Sequence, residues 1–329
     1  MFIDLVSAKN WFDRLPARYR YPTLDPEYIY IESKQRKLRQ SVFYLKEHAG
    51  QFYYLSGYLT KSKEGFIDFE TPRGYGGLLS NISNLELLKN YQSECEHAFL
   101  SKGVLCGFIR NTPLLNNYNA LLVESWFDRY TVSIDLNIPD LLPSYKTRAR
   151  TAIRKALKSG VLVKRAESDE QWQSFALLYS QRMKELGATD EYLYDNSYFH
   201  DISKLIGSKL YLAYLHDELV SGCIILESGS YAEYHLSAST KIGMVYASTQ
   251  ACIHIAATES QKNGVQFMHL GGGLSNSDED ALMFFKSGFS DRKHDFVITG
   301  WIFDTSKYAD LKRKYVQQGK AVNRIIFYR

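Results

Sequence analysis

Apolar positions along the chain recur with a helical rhythm twice, each time ahead of a short apolar run. Between Asn84 and Lys102, the residues Leu87, Leu88, Tyr91, Cys95, Ala98 and Phe99 fall three or four apart, the spacing of one helix face. The pattern stops at Gly103, a residue suited to ending a helix. It passes into Val104-Leu105-Cys106-Gly107-Phe108-Ile109, which predicts a buried strand. The second half repeats these events. A helix is predicted from about Ala247 to Asn263, a stop at Gly264, and a strand over Val265-Gln266-Phe267-Met268-His269-Leu270. Each helix follows a glycine-bearing loop, Arg73-Gly74-Tyr75-Gly76-Gly77 in the first case and Ile242-Gly243-Met244 in the second. An internal duplication of one α/β unit accounts for the recurrence.

Between the halves, Tyr130 to Leu136 alternates as a strand does. After Pro143 a basic helix is predicted from Ser144 to Ser159, closed by Gly160. The next helix opens on Ser168 and Gln171, the spacing of a capping box, and shows Trp172, Phe175, Ala176, Tyr179, Met183 and Leu186 on one face. Strands follow at Lys209–Leu215, Leu219–Glu227 and Tyr231–Ser237, the first two joined at His216-Asp217-Glu218 as a hairpin. The resulting α/β order divides near residue 145, giving domains over 1–145 and 146–329.

Composition changes this picture little. At 329 residues, 45 % hydrophobic and 23 % charged, the chain reads as an ordinary globular protein of about two domains. Its 25 Tyr and 18 Phe suit strands and half-wet cleft walls. A net charge of +4 and a pI of about 8.6 permit phosphate-bearing partners but fall short of a dedicated DNA binder. Cys95, Cys106, Cys223 and Cys252 include no C-x-x-C pair, so neither a disulfide framework nor a metal site is expected. The N-terminus lacks a signal-peptide pattern and no run is long enough to span a bilayer, which makes the cytoplasm the expected compartment.

No P-loop, G-x-G-x-x-G, H-E-x-x-H or G-x-S-x-G motif is present, which removes the usual support for kinase, dehydrogenase, zinc-protease and α/β-hydrolase chemistry. Three segments remain. In Thr71-Pro72-Arg73-Gly74-Tyr75-Gly76-Gly77, glycines would let the backbone approach a ligand held by Arg73 and Tyr75, or would serve a tight turn. Leu270-Gly271-Gly272-Gly273-Leu274 leads through the acidic Asp278-Glu279-Asp280 to Phe284-Phe285-Lys286-Ser287-Gly288-Phe289. There Lys286 would either face a developing oxyanion or reach to solvent beside a phenylalanine core. The basic helix carries Lys146, Arg148, Arg150, Arg154, Lys155 and Lys158, either as a solvated face or as a seat for a nucleotide, coenzyme A or tRNA. Of the eight histidines, His235 is the best placed for proton transfer, though a lone strand histidine is more often structural.

Taken in order, the T-P-x-G-Y-G-G loop at 71–77, the strand ending Ile134-Asp135-Leu136 before the basic helix, the Ser237-Ala238-Ser239-Thr240 turn, and Leu270–Gly273 with Phe284–Phe289 resemble the FemABX family of acyltransferases. The resemblance spans about residues 70 to 290. It implies tandem GNAT-like domains, each a mixed and mostly antiparallel sheet flanked by helices, with the active cleft between them. The coiled-coil arm that some members use near tRNA has no counterpart, since no run of heptads occurs. Members of that family move an amino acid from aminoacyl-tRNA to an amine of a peptidoglycan precursor, and relatives are assigned as N-acyltransferases of amino sugars.

By this resemblance Lys286 would stabilise the carbonyl oxyanion with Phe285 beside it. Arg73, Gly74, Tyr75, Gly76, Gly77, His235, Ser237, Gly271, Gly272 and Gly273 would meet substrate. Arg148, Arg150, Arg154 and Lys241 would meet the donor's phosphates. The donor is left as acyl-CoA or aminoacyl-tRNA, with no tightly bound cofactor. The acceptor would be a nucleotide-linked sugar or sugar-peptide, reached by peripheral contact with the inner membrane face where it is membrane-attached. A catalytically silent binder of an envelope precursor or RNA is the alternative. Thr240–Ser248 matches the coenzyme A loop of ordinary GNAT enzymes poorly, and the first 60 or so residues match no pattern.

Overall fold

In the computed structural model every residue is described except Lys37 and Asp278. In chain order the elements are β1 (Phe2–Ile3), α1 (Leu5–Asp13), α2 (Pro26–Lys34), β2 (Arg39–His48), β3 (Gln51–Lys61), β4 (Ile67–Glu70), β5 (Gly77–Ser80), α3 (Leu85–Ser101) and β6 (Val104–Arg110). Then come β7 (Ser125–Asp135), α4 (Leu141–Ser144), α5 (Thr147–Lys158), β8 (Leu162–Arg165), α6 (Asp169–Glu185), α7 (Asn196–Lys204), β9 (Ser208–Leu215) and β10 (Glu218–Ser228). The last are β11 (Tyr231–Ser239), α8 (Lys241–Val245), α9 (Ser248–Lys262), β12 (Phe267–Gly272), α10 (Ala281–Lys286), β13 (Lys293–Ile302) and α11 (Thr305–Gln317). Short 3-10 turns fill several connections.

Two compact units emerge. The first comprises Met1–Leu15, Thr23–Asp128 and Asp295–Arg329; the second, Pro16–Pro22 and Arg129–His294. They do not follow a single cut at residue 145, because two segments join the unit to which they pair rather than the one they follow in sequence. Residues 298–302 of β13 lie antiparallel to β6 of the first unit, whereas residues 131–135 of β7 lie antiparallel to β12 of the second.

Within each unit the same plan repeats. In the first, β1, β2, β3 and β4 pair antiparallel in sequence, α3 crosses over, and β6 lies parallel to β4. In the second, β8, β9, β10 and β11 pair antiparallel, α9 crosses over, and β12 lies parallel to β11. Two helices separate the first and second strands of each set, α1 and α2 in one and α6 and α7 in the other. The helix–glycine–strand repeat in the sequence is thus the crossover limb of a mixed-sheet unit that occurs twice. Gly103 and Gly264 end the crossover helices with φ of 74° and 81°, a conformation open to glycine at little cost.

Local signals explain most boundaries. Asn84 caps α3 through Leu87 N at 2.9 Å, and Ser168 with Gln171 forms the reciprocal capping box of α6. His216 and Asp217 both take positive φ in the two-residue turn between β9 and β10, as a primed hairpin turn requires. The basic helix is shorter than its sequence pattern: Tyr145 and Lys146 are extended, so the segment breaks into α4 and α5. Its apolar face is otherwise as spaced, with Tyr145, Ala149, Ile153 and Ala156 buried, although Leu157 is exposed.

The second unit's core packs α5 and α9 against the sheet through Ile153, Ala156, Cys252, Ile253, Ala256, Ile225 and Met268. The first unit packs α3 on one cluster with Tyr53, Leu55, Phe69 and Phe99, and α11 on another with Leu105, Cys106 and Phe327. All four cysteines are buried and free. Among the described residues no helix is long and apolar enough to cross a membrane.

Candidate active site

The second unit carries the candidate cluster, built on Glu233, His269 and Lys286. Its parallel strands β11 and β12 pair only from Tyr231–Phe267 to Glu233–His269, then part. At the point of parting both strands are irregular. His235 is the extra residue where β11 bulges against β10, and Leu270 is extra where β12 bulges against β7. Gly271 supplies the positive φ, 76°, at the second bulge. Carboxyl ends of parallel strands that separate leave a crevice between them, a recurrent place for a ligand.

Lys286 is drawn into this region by the turn that follows β12. A Cβ on Gly272 would lie 2.7 Å from Tyr130 O, and one on Gly273 would lie 2.5 Å from the Asp280 carboxylate. The missing side chain at Gly273 lets Asp280 accept hydrogen bonds from Leu274 N at 2.7 Å and Ser275 N at 2.9 Å, while its other oxygen caps α10 through Met283 N at 2.8 Å. These bonds, the α10 cap first, hold the Asp280 carboxyl below its usual range.

At the end of α10, Lys286 is only 8 % exposed, and its ammonium donates to Gly272 O at 2.8 Å. Burial pushes the ammonium down to about 8, against the charges of Glu233 and Asp280. The side chain therefore points inward rather than to solvent. Phe285 packs partly buried against the core and edge-on to Phe289 at 5.7 Å, while Phe284 is turned outward. Of the acidic loop, Asp278 lies outside the described residues.

Glu233 is the residue the sequence reading passed over. It is 4 % exposed, and burial raises its carboxyl to about 7 against a hydrogen bond from Tyr21 and the charge of Lys286. One of its oxygens, Oε2, has no hydrogen-bond partner among the described residues. Its parallel neighbour His269 meets the Tyr21 hydroxyl through Nδ1 at 2.8 Å, and burial holds this imidazole far below its ordinary range, with His294 and Lys286 adding to the effect.

Tyr21 reaches this cluster on the segment 16–22, which belongs to the second unit. The segment is pinned over the β10–β11 turn by Ser230 N donating to Ala17 O at 3.2 Å and Tyr231 Oη donating to Arg18 O at 3.2 Å. A Cβ on Gly229 would lie 2.2 Å from Ala17 O, so glycine is needed where the segment crosses. No sequence signal marks Glu233, because it shares the polar positions of an alternating strand with His235 and Ser237. Tyr21 had no signal, because nothing local ties it to residues more than 200 positions away.

The other expected site residues divide by location. His235 and Ser237 lie on β11 beyond Glu233. Tyr198 Oη meets His235 Nε2 at 2.6 Å, and burial lowers this imidazole's pKa. Ser237 accepts from Tyr234 Oη.

Arg148 donates to Phe284 O at 2.8 Å and Ser287 Oγ at 2.9 Å, with its guanidinium 4.2 Å above the Phe284 ring. Arg150 donates to Pro143 O, Tyr145 O and Thr147 Oγ1, closing the break between α4 and α5. Arg154 and Lys241 are exposed. The segment likened to a coenzyme A loop is the helix α8. Thr240 caps it through Gly243 N at 3.0 Å, and Met244 N and Tyr246 N bond back into the turn.

Arg73, Gly74, Tyr75, Gly76 and Gly77 lie in the first unit. Their loop is fastened internally. Gly76 N donates to Arg110 O at 2.7 Å, and Gly76 O accepts from Thr112 Oγ1 and Asn117 Nδ2, both at 2.8 Å. A Cβ on Gly77 would lie 2.8 Å from Asn117 Nδ2 and one on Gly76 2.8 Å from Thr71 Cβ, so protein atoms fill that space. Gly74 takes φ 108°, and the Tyr75 ring meets Phe296 edge-on at 5.3 Å.

No protein-family profile matches the chain, and neither does the sequence of any curated protein. Solved structures do. FemX matches with a TM-score of 0.73 at 16 % identity, over 95 % of this chain and 99 % of FemX. The C-terminal domain of a putative lysylphosphatidylglycerol synthetase from Agrobacterium fabrum matches with a TM-score of 0.58 at 10 % identity, over 95 % of both chains. L-PGS from Bacillus licheniformis matches with a TM-score of 0.50 at 11 % identity, over 84 % of this chain and 88 % of that one. With the repeated mixed-sheet plan, these likenesses give the chain a FemX-like fold in which one mixed-sheet unit occurs twice.

Proposed function

We propose that the protein is an N-acyltransferase that moves an acyl or aminoacyl group onto an amine of a cell-envelope precursor, with Lys286 and Glu233 as its working pair. The observation that carries this reading is the buried ammonium and buried carboxyl beside the parting strands β11 and β12, in a chain with the fold of FemX.

The neutral acceptor amine uses its lone pair to form an N–C bond with the donor's carbonyl carbon. The carbonyl π electrons move onto oxygen, and Lys286 donates a hydrogen bond to that oxyanion. Glu233, ionised, takes the proton the nitrogen must lose. The oxyanion then collapses, the bond to the donor's oxygen or sulfur breaks, and the leaving group departs with that electron pair. A carboxyl near 7 and an ammonium near 8 are matched to these duties at neutral pH.

The state of α8 supports an ester donor, as in aminoacyl-tRNA, over a coenzyme A thioester. Its Gly243 N and Met244 N are spent on Thr240 and its Tyr246 N on Ile242 O instead of being left for a diphosphate. The acceptor class is a sugar-peptide or nucleotide-linked amino sugar, met at the cytoplasmic side of the membrane.

A transfer assay read by mass spectrometry tests the reading, with charged tRNA or acyl-CoA as donor and UDP-linked amino sugars or sugar-peptides as acceptors. The expected product is the acceptor plus one amino-acid residue, formed with charged tRNA alone. Product formed only from acyl-CoA would reverse the donor. Acceptor binding with no product from either donor would leave a silent binder.

A further inference from the structure

The second unit carries an exposed apolar surface that the transfer chemistry does not use. α8 follows β11 at the carboxyl end of the parallel pair, and its Ile242, Met244 and Val245 are 52 %, 48 % and 63 % exposed. Leu274 and Phe284, which follow β12 at the same end, are also exposed. Three bulky apolar side chains on one five-residue helix facing water is unusual for a connection that serves only to join two elements.

Cations border this surface. Lys155 Nζ donates to Val245 O at 2.9 Å, and Arg182 Nη2 lies 3.8 Å from Met244 Sδ, so α5 and α6 bring positive charge directly beside the apolar residues. Arg182 also pairs with Glu185 at 3.1 Å. Arg154 and Lys158 are exposed on either side of Lys155, and Lys241 opens α8.

We propose that this end of the second unit docks on an anionic membrane surface. Ile242, Met244 and Val245 would enter the boundary between headgroups and acyl chains, and the cations of α5 and α8 would meet lipid phosphates. Apolar side chains ringed by lysine and arginine are what such an interface rewards. RNA would use the cations, but Ile, Met and Val offer no ring face on which a base could stack.

Docking adds a location to the transfer reading and does not depend on turnover. It would set the mouth of the Lys286 cluster, at the same end of the same strands, against a membrane-borne acceptor.

Co-sedimentation of the full chain with phosphatidylcholine vesicles, with and without phosphatidylglycerol, tests this. Binding is expected only with the anionic lipid, weakening as salt rises. The double variant Ile242→Ser/Val245→Ser should weaken it about tenfold, and Lys155→Glu/Lys158→Glu by a similar factor. Ile206→Ser removes a still more exposed side chain ahead of β9, at the opposite end of the sheet, and should leave binding unchanged. Lys286→Ala should bind as the parent does, which separates failure of docking from failure of the transfer mechanism. The proposal is overturned if anionic lipid confers no preference, or if the serine double variant binds like the parent. It is equally overturned if tRNA alone binds this surface and the glutamate variant abolishes that binding.

Discussion

At the scale of single residues, the site rests on two groups that burial moves toward neutrality from opposite directions. Lys286 is lowered to about 8 and Glu233 raised to about 7. If Glu233 must be ionised and Lys286 protonated, transfer should rise through about pH 7, fall above about pH 8, and peak between them. A pH–rate profile checks this. Glu233→Gln should slow transfer and remove the acidic limb, whereas a variant that keeps that limb would place the base elsewhere.

The same carboxyl bears on stability. Its folded pKa lies above its unfolded value near 4.3, so its contribution is complete below that value and is lost as pH rises through about 7. Glu233→Gln should therefore gain on the parent in melting temperature at pH 8 relative to pH 5, as measured by thermal unfolding at both. The sequence marked Lys286 through its resemblance to a family segment. It did not mark Glu233, because a glutamate in an alternating strand pattern reads as one more solvent-facing position.

At the scale of elements, the glycines separate by what stands against them. Gly103 takes φ 74° with nothing within 4 Å of an added Cβ, whereas Gly77 takes φ 96° with Asn117 Nδ2 at 2.8 Å and Asn111 Oδ1 at 2.9 Å. Gly103→Ala should cost about 1 kcal/mol from conformation alone, and Gly77→Ala about 2–4 kcal/mol because it also displaces buried amides. Chemical denaturation of the two variants checks the difference.

This contrast also explains what was legible in the sequence. The crossover helices, their stopping glycines, the capping box at Ser168 and the hairpin at His216-Asp217 are all local, and local patterns announce them. The T-P-R-G-Y-G-G loop reads from sequence as a ligand cradle or a tight turn with equal ease. Only the packing of Thr71, Asn111 and Asn117 against it shows how its glycines are used. Likewise, the extended Tyr145 and Lys146 that split the basic helix depend on Arg150 folding back onto Pro143 and Tyr145, a contact no periodicity reveals.

At the scale of the whole molecule, one plan is used twice with different charged groups on corresponding strands. In the first unit the acidic residues of β4 are neutralised by arginines. Arg329 engages both Asp68 and Glu70, and Arg110 and Arg39 add to Glu70, which lies below its usual value because their charges outweigh its burial. In the second unit, Glu233 on the corresponding strand pairs with no arginine among the described residues, and there its Oε2 has no hydrogen-bond partner. Burial still raises the Asp68 carboxyl to about 7, as it does Glu233, so the two units differ in the arginines around these groups rather than in the direction of the shift.

Arg329→Ala should strip Asp68 of its partner and destabilise the first unit by about 1–3 kcal/mol. Hydrogen exchange should show the loss in β4 and β6 and leave β11 and β12 unchanged.

The most direct test of the central claim is single-turnover acyl transfer by the parent and Lys286→Ala, with donor and acceptor both saturating. Loss of the oxyanion donor predicts a rate lower by about 100- to 1000-fold with acceptor affinity kept. An Ala variant that transfers at the parent's rate would contradict the account.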